Sequence, residues 1–267
     1  MSNVAEHTSS TAAPALPGNS ASKLLTVFAV SLGAVAMLRG ILLAEDTMVT
    51  VALLALLGFG FALLQFRPTL EDFIVSAFQR YRRLALTLGI IATLAFPFVL
   101  NGSSYALHLM IIAQLYSVLA LALNFQLGSA NIPNFATGAS YGIGAYTSAL
   151  LALNFGMSFW LTLPIAAVVA TIFGFLLGFP SMRTRESYLA LVTIAFGIVV
   201  HQLLNNFSWT GGPNGLVGIP APSLFGHSFI RPIEFLGMKL PSQANFYYLS
   251  AALVGLSIIS AKRLHDR

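Results

Sequence analysis

Residues 84–182 read LALTLGIIATLAFPFVLNGSSYALHLMIIAQLYSVLALALNFQLGSANIPNFATGASYGIGAYTSALLALNFGMSFWLTLPIAAVVATIFGFLLGFPSM, 99 residues without one Asp, Glu, Lys or Arg. A water-facing surface of that extent needs charge to stay soluble. This stretch is therefore solvated by lipid, and the expected fold is an all-α integral membrane protein. The rest of the chain agrees: 57% of residues are hydrophobic and 8% charged, against about 25% charged in ordinary globular domains.

A spanning helix needs about 20 apolar residues. Eight runs qualify, at 24–43, 48–66, 84–100, 105–127, 132–153, 159–178, 188–207 and 246–261, which predicts a polytopic bundle of about eight transmembrane helices. Residues 1–22 are rich in Ser, Thr, Ala and Pro and read as a disordered cytoplasmic tail. They lack the basic start of a signal peptide. The expected organisation is this tail, three spanning helices over 23–104, and a five-helix core over 105–267 that includes a long loop at 208–245.

Orientation follows from Lys and Arg, which remain cytoplasmic in short loops. The clusters are Lys23; Arg67, Arg80, Arg82 and Arg83; Arg183 and Arg185; and Lys262, Arg263 and Arg267. Eight crossings place all four on one side, with both termini inside. The run 132–153 contains Asn134, Thr137, Gly138, Ser140, Gly142 and Gly144 and could form a re-entrant hairpin. Without its crossing, Arg183 and Arg185 would face outward, so it is read as a crossing. Tyr105, Trp160, Trp209, Tyr247 and Tyr248 then fall at the outer interface, where amphipathic rings prefer to sit. The net charge of +5 is thus topological, and no nucleic-acid partner is implied.

Chemistry is sparse. There is no phosphate-binding GxxxxGK[ST] sequence, and without Cys there is no thiolate nucleophile or Cys metal site. His108 and His201 have no partner at metal spacing. Neither an enzyme, a metal nor a cofactor is expected. Small residues say more. Gly138 and Gly142, continued by Gly144 and Ser148, and Gly174 and Gly178 form strips on which another helix can approach closely. For 174/178 the reading is helix packing; for 138–148, packing or the lining of a path.

Polar residues within lipid need protein or water partners. They gather at Asn124, Gln126, Asn131, Asn134, Thr137 and Ser140, and again at His201, Gln202, Asn205 and Asn206. Asn124, Asn131, Asn134, Thr137 and Ser140 are candidates to border a passage for a polar solute; interhelical hydrogen bonding is the alternative. Arg39 can snorkel to the interface.

Tyr188-Leu-Ala-Leu-Val-Thr-Ile-Ala-Phe-Gly197, Leu204-Asn-Asn206, Thr210-Gly-Gly-Pro-Asn-Gly215 and Gly218-Ile-Pro220 together resemble the permeases of branched-chain amino-acid ABC transporters. The likeness is to the LivM-type subunit, whose relatives include urea and amide transporters. Leu121-Ala-Leu-Asn124, Gly138-Ala-Ser-Tyr-Gly-Ile-Gly-Ala-Tyr146, and Gly178-Phe-Pro180 with Arg183 extend the resemblance over roughly 105–267. It implies a multi-pass subunit of the bacterial inner membrane that imports branched-chain amino acids or a similar small polar solute. It also implies a second permease subunit, cytoplasmic ATPase subunits that supply the energy, and an extracytoplasmic solute-binding protein. The family-motif loop Thr210, Gly211, Gly212, Pro213, Asn214 and Gly215 is expected to make a compact turn after the seventh run.

Two departures stand out. Relatives often carry an acidic residue directly after the Phe-Gly of this helix and a basic one three positions later; here these are Ile198 and His201. The family also continues, beyond the helix resembling 246–261, into a segment that docks on the ATPase and then into further helices. The chain given ends at Arg267, which suggests a fragment or a short gene product. The alternative function is therefore a truncated, non-transporting membrane protein of the same family, an assembly or regulatory partner or a remnant.

Overall fold

The computed structural model describes residues 20–129, 134–181, 186–224, 226–235 and 238–265. The chain divides into two compact units, one ending at Ala106 and the other beginning at Leu107.

In the first unit, α1 (Ser20–Leu43) packs against α2 (Thr47–Phe66), α3 (Pro68–Arg80) and α4 (Arg82–Val99). Asp46 starts α2 by accepting the Met48 N–H at 3.0 Å on its side chain, the usual way an Asx residue satisfies an orphan N–H. Pro68 occupies the first turn of α3, where its missing N–H costs nothing. α2 buries no residue; Phe59 and Phe66 are 65% and 84% exposed, a surface that hydrocarbon can cover and water cannot. Arg39 does more than snorkel, since its Nε donates to the Val99 carbonyl at the end of α4 (2.9 Å). The segment that carries Arg67, Arg80, Arg82 and Arg83, read from sequence only for orientation, holds the amphipathic helix α3. Its charges mask an apolar face too short to register as a span.

The second unit is built from α5 (Ser104–Asn124), which starts just before the division, with α6 (Thr137–Phe155), α7 (Phe159–Ser181), α8 (Glu186–Asn206) and α9 (Gln243–His265). α5 runs into a π-helical turn, Phe125–Ser129. α6 and α7 form a tight hairpin. Gly156 ends α6 at φ +62°, a left-handed cap. Ser148 Oγ lies 2.8 Å from Thr162 Oγ1 across the pair. The missing Cβ of Gly144 lets α7 come close, and an added one would lie 3.8 Å from Ala170 Cβ. α8 packs on α6 through Ala136, Ala139 and Val200, bordered by Ile143, Phe173 and Leu204.

Among the described residues, seven helices are long and apolar enough to cross a membrane. α6 has 19 residues, sufficient in length, but Gly, Ser, Thr and Tyr dilute its apolarity. The protein is an all-α polytopic membrane protein. Its only strands, among the described residues, are two short antiparallel pairs between α8 and α9: β1 (Ser223–Leu224) with β2 (His227–Ser228), and β3 (Ile233–Phe235) with β4 (Met238–Leu240).

Candidate functional site

The break between α5 and α6 concentrates the polar residues. Asn124 is the last residue of α5 and is exposed. Beyond it the backbone widens into the π turn, a local irregularity frequent at functional positions. Gln126 lies in that turn, and its Oε1 is buried without a hydrogen-bond partner among the described residues, an arrangement that calls for an explanation in a folded protein. Asn131 lies outside the described residues.

Asn134 and Thr137 build the start of α6. The Asn134 side chain accepts the Ala136 N–H at 2.9 Å, and Thr137 Oγ1 donates to the Asn134 carbonyl at 3.2 Å. Part of their polarity is therefore spent on their own turn, as expected of such residues at a helix start. Ser140, one turn on and half-buried, lies on the same helix. The turn is also tied to α8: the Phe135 N–H donates to Thr193 Oγ1 at 3.1 Å, while that hydroxyl donates to the Ala190 carbonyl at 2.9 Å. Thr193 is buried. It belongs to the Tyr188–Gly197 motif, but no sequence signal assigned it this fastening role.

The glycines differ among themselves. Gly142 faces Leu204 on α8, and an added Cβ would meet that side chain at 3.3 Å. Gly144 faces α7. Gly138, Gly174 and Gly178 have nothing within 4 Å of an added Cβ. Gly138 instead opens a cavity of about 390 Å³ between α5 and α6, lined also by Leu115, Tyr116 and Tyr141. Ile198 and His201 both lie on the exposed side of α8, and the His201 ring contacts the Asn205 amide at 3.2 Å.

A polar contact absent from the sequence reading links α5 to α9. The buried Ser250 hydroxyl donates to Gln114 Oε1, beside the buried Tyr247. The signal was present, as a lone amide in the middle of an apolar helix.

At the other end of this unit the α8–α9 connection forms a cap. Buried Thr210 places its hydroxyl 2.7 Å from the carbonyls of both Leu204 and Phe207, closing the end of α8. Gly211, Gly212 and Gly215 take φ of +82°, +57° and +68°, the left-handed region that favours glycine. Farther along, Trp160 Nε1 at the start of α7 donates to the Ser223 carbonyl at 2.7 Å. Asn245 on α9 donates to the carbonyls of Phe229 and Arg231 at 3.1 and 2.9 Å. These anchors enclose a cavity of about 790 Å³ whose lining includes Trp160, Arg231, Tyr248 and Leu253. Glu234 and Lys239 pair across β3 and β4 at 3.1 Å and stay exposed, so the pair adds little stability. Among the described residues no group of His, Asp and Glu could hold a metal ion.

Residues 105–261 match the family described as "Branched-chain amino acid transport system / permease component". The chain is 40% identical over 196 residues to the high-affinity branched-chain amino acid transport system permease protein LivM of Escherichia coli (strain K12), covering 68% of this chain and 46% of the relative. It is 41% identical, with the same coverage, to the LivM protein of Salmonella typhimurium (strain LT2). It thus spans about half the length of the curated relatives it matches. No solved structure matches.

Proposed function

Because the chain belongs to the branched-chain amino acid transport permease family, we propose that it acts as a membrane-embedded permease subunit of an ABC importer. Its cargo is a branched-chain amino acid or a similarly small polar solute. It pairs with a second permease subunit in the bacterial inner membrane, receives solute from an extracytoplasmic binding protein, and draws energy from separate cytoplasmic ATPase subunits. The observation that carries the reading is the α5–α6 break, where a π turn interrupts an otherwise apolar span and leaves the Gln126 carbonyl oxygen buried and without a partner among the described residues. Uncharged amides and hydroxyls there can exchange hydrogen bonds with a passing solute without trapping it.

Asn124, Asn131, Asn134, Thr137 and Ser140 border this passage, with Gln126 beside them. The cap between α8 and α9 supplies the docking face, through exposed Arg231, Glu234 and Lys239. The test is uptake by a complete, assembled transporter carrying bulky replacements. Ser140→Leu is the most telling, because Asn134 and Thr137 also hold their own turn. Uptake falls while the amount of protein in the membrane stays near normal. Unchanged uptake with bulky residues at Asn134, Thr137 and Ser140 together removes this segment from the route; loss of the protein assigns these residues to structure instead.

A further inference from the structure

The α3–α4 corner lies before residue 105, where the family match begins, and the transport reading gives it no role. α3 has 13 residues, too few to span a bilayer. One side of it meets α1. Ala77 is fully buried there, Ser76 Oγ accepts from Lys23 Nζ at 2.9 Å, and the same ammonium sits 5.9 Å from the centre of the Phe73 ring. Another side remains apolar and open, with Leu70 and Val75 exposed. Between α3 and the first turns of α4 runs a groove of about 520 Å³ walled by Ile74, Val75, Phe78, Ala85 and Leu86, with Arg82 also lining it.

Arg67, Glu71 and Asp72 gather at the start of α3, while Arg80 lies at its end and Arg82 and Arg83 open α4 with no acidic residue among them. Asp72 and Arg80 are eight residues apart, about 12 Å along a helix. Arg80 lies 3.3 Å from Ser20 Oγ. Arg82 and Arg83 are exposed, and among the described residues no carboxylate stands within ion-pair distance of either.

We propose that this groove binds an anionic glycerophospholipid. One acyl chain lies against Val75, Phe78, Ala85 and Leu86, and the phosphate meets the guanidinium group of Arg82, which lines the groove, with Arg83 adding positive charge next to it. Basic side chains at the end of a span attract anionic headgroups, and Arg pairs with phosphate through two parallel hydrogen bonds. An anionic lipid satisfies both halves of the site. A free phosphate leaves the apolar walls wet, and an uncharged protein helix leaves the guanidiniums without a counter-charge. A choline headgroup adds a cation that the same arginines repel, so the preference is for the anionic lipid.

The test uses the full chain in detergent micelles, titrated separately with dioleoylphosphatidylglycerol and dioleoylphosphatidylcholine and read by native mass spectrometry. Phosphatidylglycerol is expected to be retained more strongly. Arg82→Gln with Arg83→Gln lowers its retention by about fivefold for each guanidinium and changes retention of zwitterionic phosphatidylcholine much less. Arg82→Lys keeps most of the preference. Ala85→Trp fills the groove without altering charge and lowers retention of both lipids. Val75→Trp, on the exposed wall, serves the same purpose if the first variant loses its helical circular dichroism. Equal retention of the two lipids by the unaltered chain overturns the proposal, as does an undiminished preference in the double Gln variant. Displacement of phosphatidylglycerol by millimolar inorganic phosphate reduces the site to an anion contact and also overturns it. A dimer abolished by Ala85→Trp assigns the groove to a second copy, with the same consequence.

Discussion

Gly211→Ala tests whether the cap is held by backbone geometry. Gly211 sits at φ +82°, and a Cβ built there falls 2.1 Å from the Gly215 carbonyl oxygen and 2.5 Å from its carbon. Both neighbours are backbone, so no side-chain rotation relieves the overlap. The turn cannot simply open either, because the Gly215 N–H is bonded to the Gly212 carbonyl at 3.2 Å and Thr210 is anchored to the end of α8. Gly218 provides the control: its φ is +80°, with nothing within 4 Å of an added Cβ. Gly218→Ala therefore carries only the left-handed penalty of about 1–2 kcal/mol. Gly211→Ala adds backbone displacement, and the total reaches about 3 kcal/mol or more. At roughly 2–4 °C per kcal/mol for a chain of this size, Gly211→Ala lowers the unfolding midpoint by roughly 6–12 °C and Gly218→Ala by roughly 2–8 °C. Thermal unfolding in detergent, followed by intrinsic fluorescence, measures both, and limited proteolysis reports whether the cap opens first. Equal midpoints for the two variants would refute the argument that the carbonyl approach at Gly211 shapes the turn.

Gln114→Leu keeps volume but strips the acceptor from Ser250, so stability in detergent should fall by about 1 kcal/mol, in line with hydrogen bonds between membrane helices; no change would mean the contact is energetically silent. Asn245→Ala frees the carbonyls of Phe229 and Arg231 and should make the β1–β2 region the first site of proteolysis, with the helices intact. Gly144→Ala should be tolerated, since its Cβ makes only ordinary contact at 3.8 Å, whereas Gly144→Leu should separate α6 from α7 and reduce the folded yield; equal yields would show that the hairpin does not depend on that close approach. Reporter fusions at positions 83, 102, 156, 184, 225 and 267 should read in, out, out, in, out, in, and a cytoplasmic signal at 225 would overturn the expected orientation.

The helices were legible wherever hydrophobic length alone decides. The last run, 246–261, is short as an apolar segment, yet α9 extends over Gln243–His265 because polar residues continue a helix once its apolar middle is packed. The stretch carrying Arg67, Arg80, Arg82 and Arg83 shows the opposite limit. Reading that segment by its arginines hid α3, whose apolar residues recur at helical spacing but never make a run long enough to span.

The candidate site was only partly legible. The polar composition of 124–140 pointed to the α5–α6 break, but composition does not say whether an amide faces a passage or its own backbone. Asn134 and Thr137 turned out to bond their own turn, whereas the acceptor left buried and unpaired among the described residues is on Gln126. Likewise, the spacing of Gly138, Gly142 and Gly144 promised close packing without naming a partner. Gly142 meets α8, Gly144 meets α7, and Gly138 opens a cavity instead.

The chain's solvent, its helical architecture and its family follow from local properties, namely the absence of charge over 84–182, apolar run length and short motifs, which need no neighbours to be read. Which hydroxyl fastens which turn depends on residues far apart in sequence. Thr193 holds the start of α6, Gln114 meets Ser250, and Trp160 and Asn245 pin the cap. A hydrogen bond inside a bilayer depends on distances of a few tenths of an ångström between helices. Those distances arise only when α5, α6, α7, α8 and α9 have packed together.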